Sequence, residues 1–200
     1  MATSLTGVGA VWASLSLVAA ILCCSGFYLP FWIQGRLFNK VDAYFSSFRR
    51  CNYPRVTSAG VEIIQECGRY SRFWDIPSPW WQASTVLVGV ASALSLLVGI
   101  TAAAACCVTY VVHTGTARAA GFIQLCAAIM VCGGVALYPV GWDNREIKES
   151  CGETAHIYKI GNCNVSWSAY LLLGAVTLLL FCFALSFCAS RIKPGGSFRI

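Results

Sequence analysis

The side chains that could do chemistry in this chain are few, and they fall in two stretches, residues 30–82 and 141–166. These stretches hold all eight acidic residues and two pairs of cysteines, Cys51, Cys67, Cys151 and Cys163. The chain has two histidines in separate segments and no HExxH, GxSxG or glycine-rich phosphate motif. Acids and bases alternate in REIKES (145–150), as on a solvated surface. We therefore expect no catalytic, cofactor-binding or metal-binding residues, and no enzyme activity.

Uncharged segments separate these stretches and predict four membrane-spanning helices. The chain is 58% hydrophobic and 11% charged, far more apolar than a typical soluble domain. Charge is absent from residues 1–35, 76–117, 119–142 and 160–190. Each gap contains an apolar run of about 20 residues or more, which is long enough to cross a bilayer. We place the spans near 5–29, 83–112, 119–140 and 167–190, in one membrane domain that covers 1–200.

The distribution of charge and cysteine predicts the side on which each loop lies. Four spans put both termini on one side, with the short link between the second and third spans. That side carries Arg118, Arg191, Lys193 and Arg199 and no acid, as cytoplasmic flanks do. The cysteine pairs lie on the other side, as in an oxidising exterior. We expect a multi-pass plasma membrane protein with cytoplasmic termini and a retained first span, which is too long for a signal peptide core.

The four loop cysteines allow three disulfide connectivities. We expect the local pairs Cys51–Cys67 and Cys151–Cys163, because each closes a short loop, which stabilises by about 3 kcal/mol in the chain-entropy model. A zinc site formed by Cys151, His156 and Cys163 is the alternative, although it lacks the usual ligand spacing.

The sequence also contains candidate sites for glycosylation, palmitoylation and binding of a PDZ domain. Asn164-Val165-Ser166 is a glycosylation sequon in the second loop. Cys106, Cys107 and Cys188 lie towards the cytoplasmic ends of spans and are candidates for palmitoylation, although packing is the simpler role for them. Phe198 and Ile200 fit a hydrophobic PDZ ligand, so a PDZ protein is a candidate partner at the C-terminus.

The stretch YPVGWDNREIKESCG (138–152) predicts a helix start where the chain leaves the membrane. Pro139 helps to end the third span, and Trp142 suits the membrane interface. Asp143 is expected to cap a helix that begins at Asn144, with Glu146 completing a capping box. Trp142 and Ile147 take the positions of a hydrophobic staple.

The first loop predicts a small β-sheet. Residues 27–51 are rich in aromatic and β-branched residues, with a turn at 39–40, so we expect a β-hairpin. A third strand near 62–70, joined by the Cys51–Cys67 bond, would stabilise it. Arg49, Arg50 and Arg55 form a basic group that could contact a partner protein or glycan. Nucleic acid is not an expected partner because this loop faces outside.

Within the spans, small residues favour close helix packing. The spans lack the charged residues that transport proteins use, so we do not expect transport. Gln124 is the most polar side chain there, and we expect it to link helices. The lipid bilayer is the first partner that these spans imply.

Longer motifs resemble one family, the lipoma HMGIC fusion partner-like tetraspan proteins, and in particular its founding branch. These motifs are FRRCNYP (48–54), ECGRY (66–70), IPS (76–78), Trp81, ALYP (136–139), GWD (141–143), Glu146, CG (151–152), Gly161, Cys163 and Trp167. The family belongs to the claudin-like group, and the resemblance implies a mainly α-helical membrane fold, with a four-helix bundle beneath a small extracellular β-sheet. Unlike claudins, the chain has Ser47-Phe48-Arg49-Arg50 before Cys51 instead of a Trp-x-Leu-Trp motif.

The resemblance also implies a class of function. Members with assigned roles act as accessory subunits of ion channels and receptors, so we expect an auxiliary or assembly subunit of a larger membrane protein. The alternative is a claudin-like junctional or adhesion protein that associates with itself through its extracellular loops.

Overall fold

The structure is a computed structural model that describes residues 7–37, 41–57, 60–107 and 114–189. Its helices are α1 (Gly7–Tyr28), α2 (Pro79–Cys107), α3 (Thr114–Leu137), α4 (Arg145–Cys151) and α5 (Trp167–Ala189). Its strands are β1 (Ile33–Leu37), β2 (Val41–Phe45), β3 (Arg49–Thr57), β4 (Gly60–Arg69) and β5 (Asn164–Val165). Short 3-10 turns occupy Phe73–Asp75 and Tyr138–Trp142. Within the described residues, α1, α2, α3 and α5 are long and apolar enough to cross a membrane, which confirms the predicted tetraspan architecture.

The four long helices form a closed ring in which each helix packs along two neighbours. Helix α1 lies against α2 and α5, and α3 lies against the same two helices. A glycine occupies each of these interfaces, where a larger side chain would collide with the neighbouring helix. The pairs are Gly26 with Leu172, Gly99 with Ala20, Gly134 with Val88, and Gly121 with Ser186. Small residues therefore allow the close approach that holds helices together in lipid.

Gln124 links two helices inside the ring, as the sequence predicts. Its side chain is buried, and its Nε2 donates to Ser16 Oγ at 2.8 Å. The indole nitrogen of Trp12 donates to its Oε1 at 3.3 Å. Both donor and acceptor atoms of the amide are thus satisfied across the α1–α3 contact, as a polar group in lipid requires.

The sheet lies at the end of the bundle where α1 and α3 finish and α2 and α5 begin. Its strands follow the order β4-β3-β2-β1-β5, and every neighbouring pair is antiparallel. The predicted hairpin corresponds to β1 and β2, and the predicted third strand corresponds to β4. The expectation of one strand running to residue 51 was wrong. The chain turns after β2, where Ser46 N–H donates to Arg49 O at 2.8 Å and Ser46 Oγ accepts from Arg49 N–H.

An aromatic layer between the sheet and the bundle joins the two. Trp32, Trp81 and Tyr138 are buried, and the Tyr138 ring lies 4.9 Å from Trp32 and 5.0 Å from Trp81 between centroids. Each ring also has a polar link. Trp32 donates to Gly26 O of α1, Trp81 donates to Tyr138 O, and Tyr138 Oη donates to Phe45 O of β2. The sheet is therefore held on the bundle by packing and by hydrogen bonds.

Candidate functional site: the loop unit

We call the described residues of 29–78 and 143–166 the loop unit, because both loops contribute to one folded body. Cys51 faces Cys67 across β3 and β4, and the two form a disulfide. A second disulfide joins Cys151, the last residue of α4, to Cys163. Both bonds have the local pairing expected from the sequence. The second bond occupies two of the three ligands that the zinc alternative required.

The second loop completes the sheet that the first loop begins. Strand β5 pairs with β1 through Ile33–Val165 and Gln34–Asn164. Just beyond it, Ser166 N–H donates to Trp32 O at 2.8 Å. A strand of two residues carries no hydrophobic periodicity, so this pairing could not be predicted from the sequence.

The start of α4 lies one residue later than predicted. The N-cap is Asn144, whose Oδ1 accepts from Ile147 N–H at 3.0 Å, so the helix begins at Arg145. Asp143 is instead an ion-pair partner, with Lys148 Nζ 2.5 Å and His156 Nδ1 3.3 Å from its carboxylate. The predicted capping box and hydrophobic staple are both wrong. The hydrogen bond from Lys148, followed by the charge of His156, lowers the pKa of Asp143.

Glu146 lies at the centre of a contact between the loops, which we call the Arg50 cluster (Arg50, Tyr53, Tyr70 and Glu146). The guanidinium of Arg50 pairs with Glu146 Oε1. Tyr70 Oη donates to Glu146 Oε2 at 2.6 Å. Arg50 also lies over the rings of Tyr53 and Tyr70, 4.2 and 4.7 Å from their centroids. One cation from β3 is therefore held between two rings of the first loop and a carboxylate of the second.

The Arg50 cluster is partly withdrawn from water. The side chains of Arg50 and Glu146 are 23% and 22% exposed, and Tyr70 is buried. Burial raises the pKa of Glu146, while the hydrogen bond from Tyr70 and the charge of Arg50 act in the opposite direction. Burial, followed by the charge of Glu146, raises the pKa of Tyr70. The solvated surface expected for Glu146 was therefore wrong, whereas Glu149 pairs with Arg145, whose side chain is exposed.

Arg49 and Arg50 both have partners inside the molecule. Arg49 donates to Tyr28 O at 3.2 Å and lies 4.3 Å from the centre of the Tyr28 ring. The free basic group expected from the sequence is therefore not formed by these two residues. The side chain of Arg55 lies outside the described part of the chain.

Trp142, which was expected at the membrane interface, and Trp80 at the start of α2 have different surroundings. Trp142 is 8% exposed and packs against Tyr138, with ring centroids 6.1 Å apart, so its predicted interfacial position was wrong. Ile147 is likewise buried in the core. Trp80, in the first turn of α2, is 46% exposed.

A polar groove of about 570 Å³ opens between β1, β2 and the end of α4. Its lining includes Gln34, Arg36, Asp42, Asn162 and Asn164. Asn164 is exposed at this groove, so its place on the surface is compatible with the predicted glycosylation. Glycosylation itself stays a prediction.

The remaining predicted residues are not brought into this site. Cys188 is exposed near the end of α5, and its palmitoylation stays a prediction. The side chains of Cys106 and Cys107 lie outside the described residues, as do Phe198 and Ile200. In the described part of the chain, no three His, Cys, Asp or Glu side chains are grouped closely enough to hold a metal ion.

Sequence reasoning missed the roles of Tyr53, Tyr70 and Glu146, for which one signal was available. Glu146 and Ser150 are four residues apart, so they share a face of α4. Ile147 and Cys151 are also four residues apart, and their apolar side chains indicate the face of α4 that packs on the protein. Glu146 and Ser150 border that face, which was the available signal that Glu146 is partly buried.

Comparison with known proteins identifies the fold family. The model of the lipoma HMGIC fusion partner-like protein family matches residues 8–191. The LHFPL tetraspan subfamily member 3 protein of Danio rerio is 32% identical over 184 residues, which cover 91% of this chain and 80% of that protein. The LHFPL tetraspan subfamily member 2 protein of Homo sapiens is 25% identical over 191 residues, which cover 86% of this chain and 82% of that protein. The chain therefore belongs to the lipoma HMGIC fusion partner-like family of tetraspan membrane proteins.

Proposed function

We propose that this protein is a non-catalytic accessory subunit of a larger membrane complex, such as an ion channel or a receptor. In this proposal both termini are cytoplasmic and the loop unit faces outside the cell, at the plasma membrane. The observation that carries the proposal is the Arg50 cluster, because it joins the two loops into one rigid surface. A preordered surface loses little conformational entropy when a partner binds, so more of the contact energy becomes affinity.

The bundle supports the same proposal because its described helices carry almost no charged side chain. In the described parts of the four spanning helices, Arg118 is the one charged residue, and it is exposed within the first two turns of α3. Ion pathways and transport sites in membranes are usually built from ionisable side chains or broken helices. A ring of unbroken helices closed by glycine contacts suits a scaffold that carries the loop unit.

Self-association is the second candidate, and the free edge of the sheet favours it. Strand β4, with ten residues, has β3 on one side and no strand on the other within the described sheet. A long free edge can pair with a strand of another molecule. A second copy of this protein would supply such a strand in an adhesion or junctional assembly.

Purification from native membranes in mild detergent, followed by mass spectrometry, tests the proposal. A pore-forming or receptor subunit recovered in a fixed ratio to this protein is the expected result. Recovery of this protein alone, or with adhesion and junction proteins, would contradict it. Expression alone in cells that lack other family members then tests self-association, since an adhesion protein should concentrate at contacts between expressing cells.

A further inference from the structure

An exposed aromatic pair precedes α2 and lies outside the spanning helices. Trp74 is 79% exposed and Phe73 is 40% exposed. Their rings touch edge to face, with centroids 5.4 Å apart. The pair belongs to the 3-10 turn Phe73–Asp75, in which Asp75 Oδ2 accepts from Arg72 N–H at 3.0 Å. The fold therefore presents two large apolar rings outward from an ordered turn.

The turn is held beside the start of a spanning helix. Gln82, in the first turn of α2, donates from Nε2 to Ile76 O at 3.4 Å. Ile76 itself is buried in the core. Two residues of chain cover at most about 7 Å, so Trp74 lies near Ile76 and, through it, near the first turn of α2.

Other exposed aromatic residues lie on or beside the same end of every spanning helix. Tyr28 ends α1, Trp80 lies in the first turn of α2, and Trp167 begins α5, all at least 46% exposed. At the end of α3, the exposed Tyr158 donates from Oη to Ala136 O at 2.7 Å. Tryptophan and tyrosine concentrate at the interface between lipid and water. These residues form an aromatic belt at the end of the bundle that carries the loop unit.

The charges near the turn suit lipid headgroups. Arg69 and Arg72 are exposed on either side of Tyr70 and Ser71, and neither joins an ion pair with another described residue. A guanidinium group binds phosphate oxygens through two parallel hydrogen bonds. Apolar rings flanked by arginines are therefore complementary to a phospholipid surface.

We propose that Phe73 and Trp74 insert into the headgroup layer of the adjacent membrane leaflet, with Arg69 and Arg72 binding lipid phosphates. The turn is then a membrane anchor for the first loop, additional to the four spans. It fixes the height and orientation of the sheet above the bilayer. A contact between the same rings and another protein is the competing outcome.

Tryptophan fluorescence of the full chain in phosphatidylcholine nanodiscs tests this proposal. One preparation contains lipid that is brominated near the top of its acyl chains, and this lipid quenches the fluorescence of tryptophans in the interface. A second preparation is titrated with iodide, which quenches the fluorescence of tryptophans in water. Wild type is compared with Trp74→Phe, and Trp167→Phe on α5 serves as the control for a lipid-exposed tryptophan. Because Trp74 is exposed, Trp74→Phe is expected to keep the wild-type size-exclusion profile.

The expected result is that Trp74→Phe lowers the bromolipid-quenched fluorescence by roughly a third, since Trp74 is one of three exposed tryptophans at the belt. The iodide-quenched fluorescence should not change. If the lost fluorescence is instead quenched by iodide, Trp74 lies in water and the proposal is wrong. Fluorescence that neither agent quenches would show that protein covers the ring, which also overturns the proposal.

Discussion

Glu146 is the single residue on which the contact between the two loops most depends. Its two carboxylate oxygens bind different residues of the first loop, Arg50 and Tyr70. Removal of a partly buried carboxylate leaves both groups without their partner, and an unpaired buried charge destabilises strongly.

We expect Glu146→Ala to lower the free energy of unfolding by about 2 kcal/mol. Glu146→Gln should cost less than about 1 kcal/mol, because the amide oxygen can still accept a hydrogen bond from Tyr70 or Arg50. Glu149→Ala is the matched control on the same helix, because its partner Arg145 has an 88% exposed side chain. Loss of the monodisperse size-exclusion peak on heating in detergent ranks the three variants by stability. Equal effects at 146 and 149 would contradict the role of the Arg50 cluster.

The pH dependence of stability tests the burial of Glu146 in another way. Burial raises the pKa of Glu146 in the folded state above its ordinary value of 4.5. The folded protein therefore binds a proton that the unfolded chain has already released, so this group stabilises the folded state as pH falls. Wild type should gain stability relative to Glu146→Gln from neutral pH through the folded pKa, with the gain complete at the ordinary value. A relative loss over this window would mean that Arg50 outweighs burial.

The second disulfide packs against β1 at Gly35, where there is no room for a side chain. A Cβ at Gly35 would collide with Cys163 Sγ and lie 3.0 Å from Ser150 O. We expect Gly35→Ala to destabilise by about 1–3 kcal/mol through overpacking. Gly68→Ala is the control, since a Cβ at Gly68 meets nothing within 4 Å. Thermal stability in detergent distinguishes the two variants, and equal stability would refute the packing argument.

At the scale of elements, the spans were predictable because lipid imposes a simple rule. Every backbone polar group must be satisfied inside the membrane, so a long uncharged run becomes a helix. The predicted spans near 5–29 and 167–190 thus agree closely with α1 and α5. The role of Gln124 followed from the same rule, because a buried amide in lipid requires partners.

We expect Gln124→Leu to destabilise the bundle by about 1–2 kcal/mol, because Trp12 and Ser16 lose their partner on α3. Thr177→Val is the control on the exposed surface of α5, where the hydroxyl donates to Leu173 O of its own helix. The thermal stability of the two variants is again compared by size exclusion after heating in detergent. A neutral Gln124→Leu would show that the amide contributes nothing to helix association.

The sheet was only partly predictable because its pairing depends on contacts distant in sequence. The hairpin of β1 and β2 has a local pattern, whereas β5 joins β1 from more than a hundred residues away. The observed N-cap of α4 differs from the predicted one for a local reason. Asp143 and Asn144 are both good caps, and the ion pairs of Asp143 with Lys148 and His156 leave Asn144 to cap the helix.

At the scale of the whole molecule, three independent links make the loops one body on the bundle. They are the shared strand pair β1–β5, the Arg50 cluster and the aromatic layer around Tyr138. No single segment of sequence contains both sides of any of these links. Composition therefore predicted a membrane bundle with loops, whereas the union of the loops emerges only from the fold.

The most direct test of this account compares partner recovery by wild type, Glu146→Ala and Glu149→Ala from native membranes. Mass spectrometry quantifies the membrane protein that wild type recovers in a fixed ratio, normalised to the folded amount of each variant. We expect Glu146→Ala to lower that ratio by roughly tenfold, as a loss of about 1.4 kcal/mol in binding implies, and Glu149→Ala to leave it unchanged. An unchanged ratio for Glu146→Ala would show that partner binding does not require the joined loops, and would contradict the account.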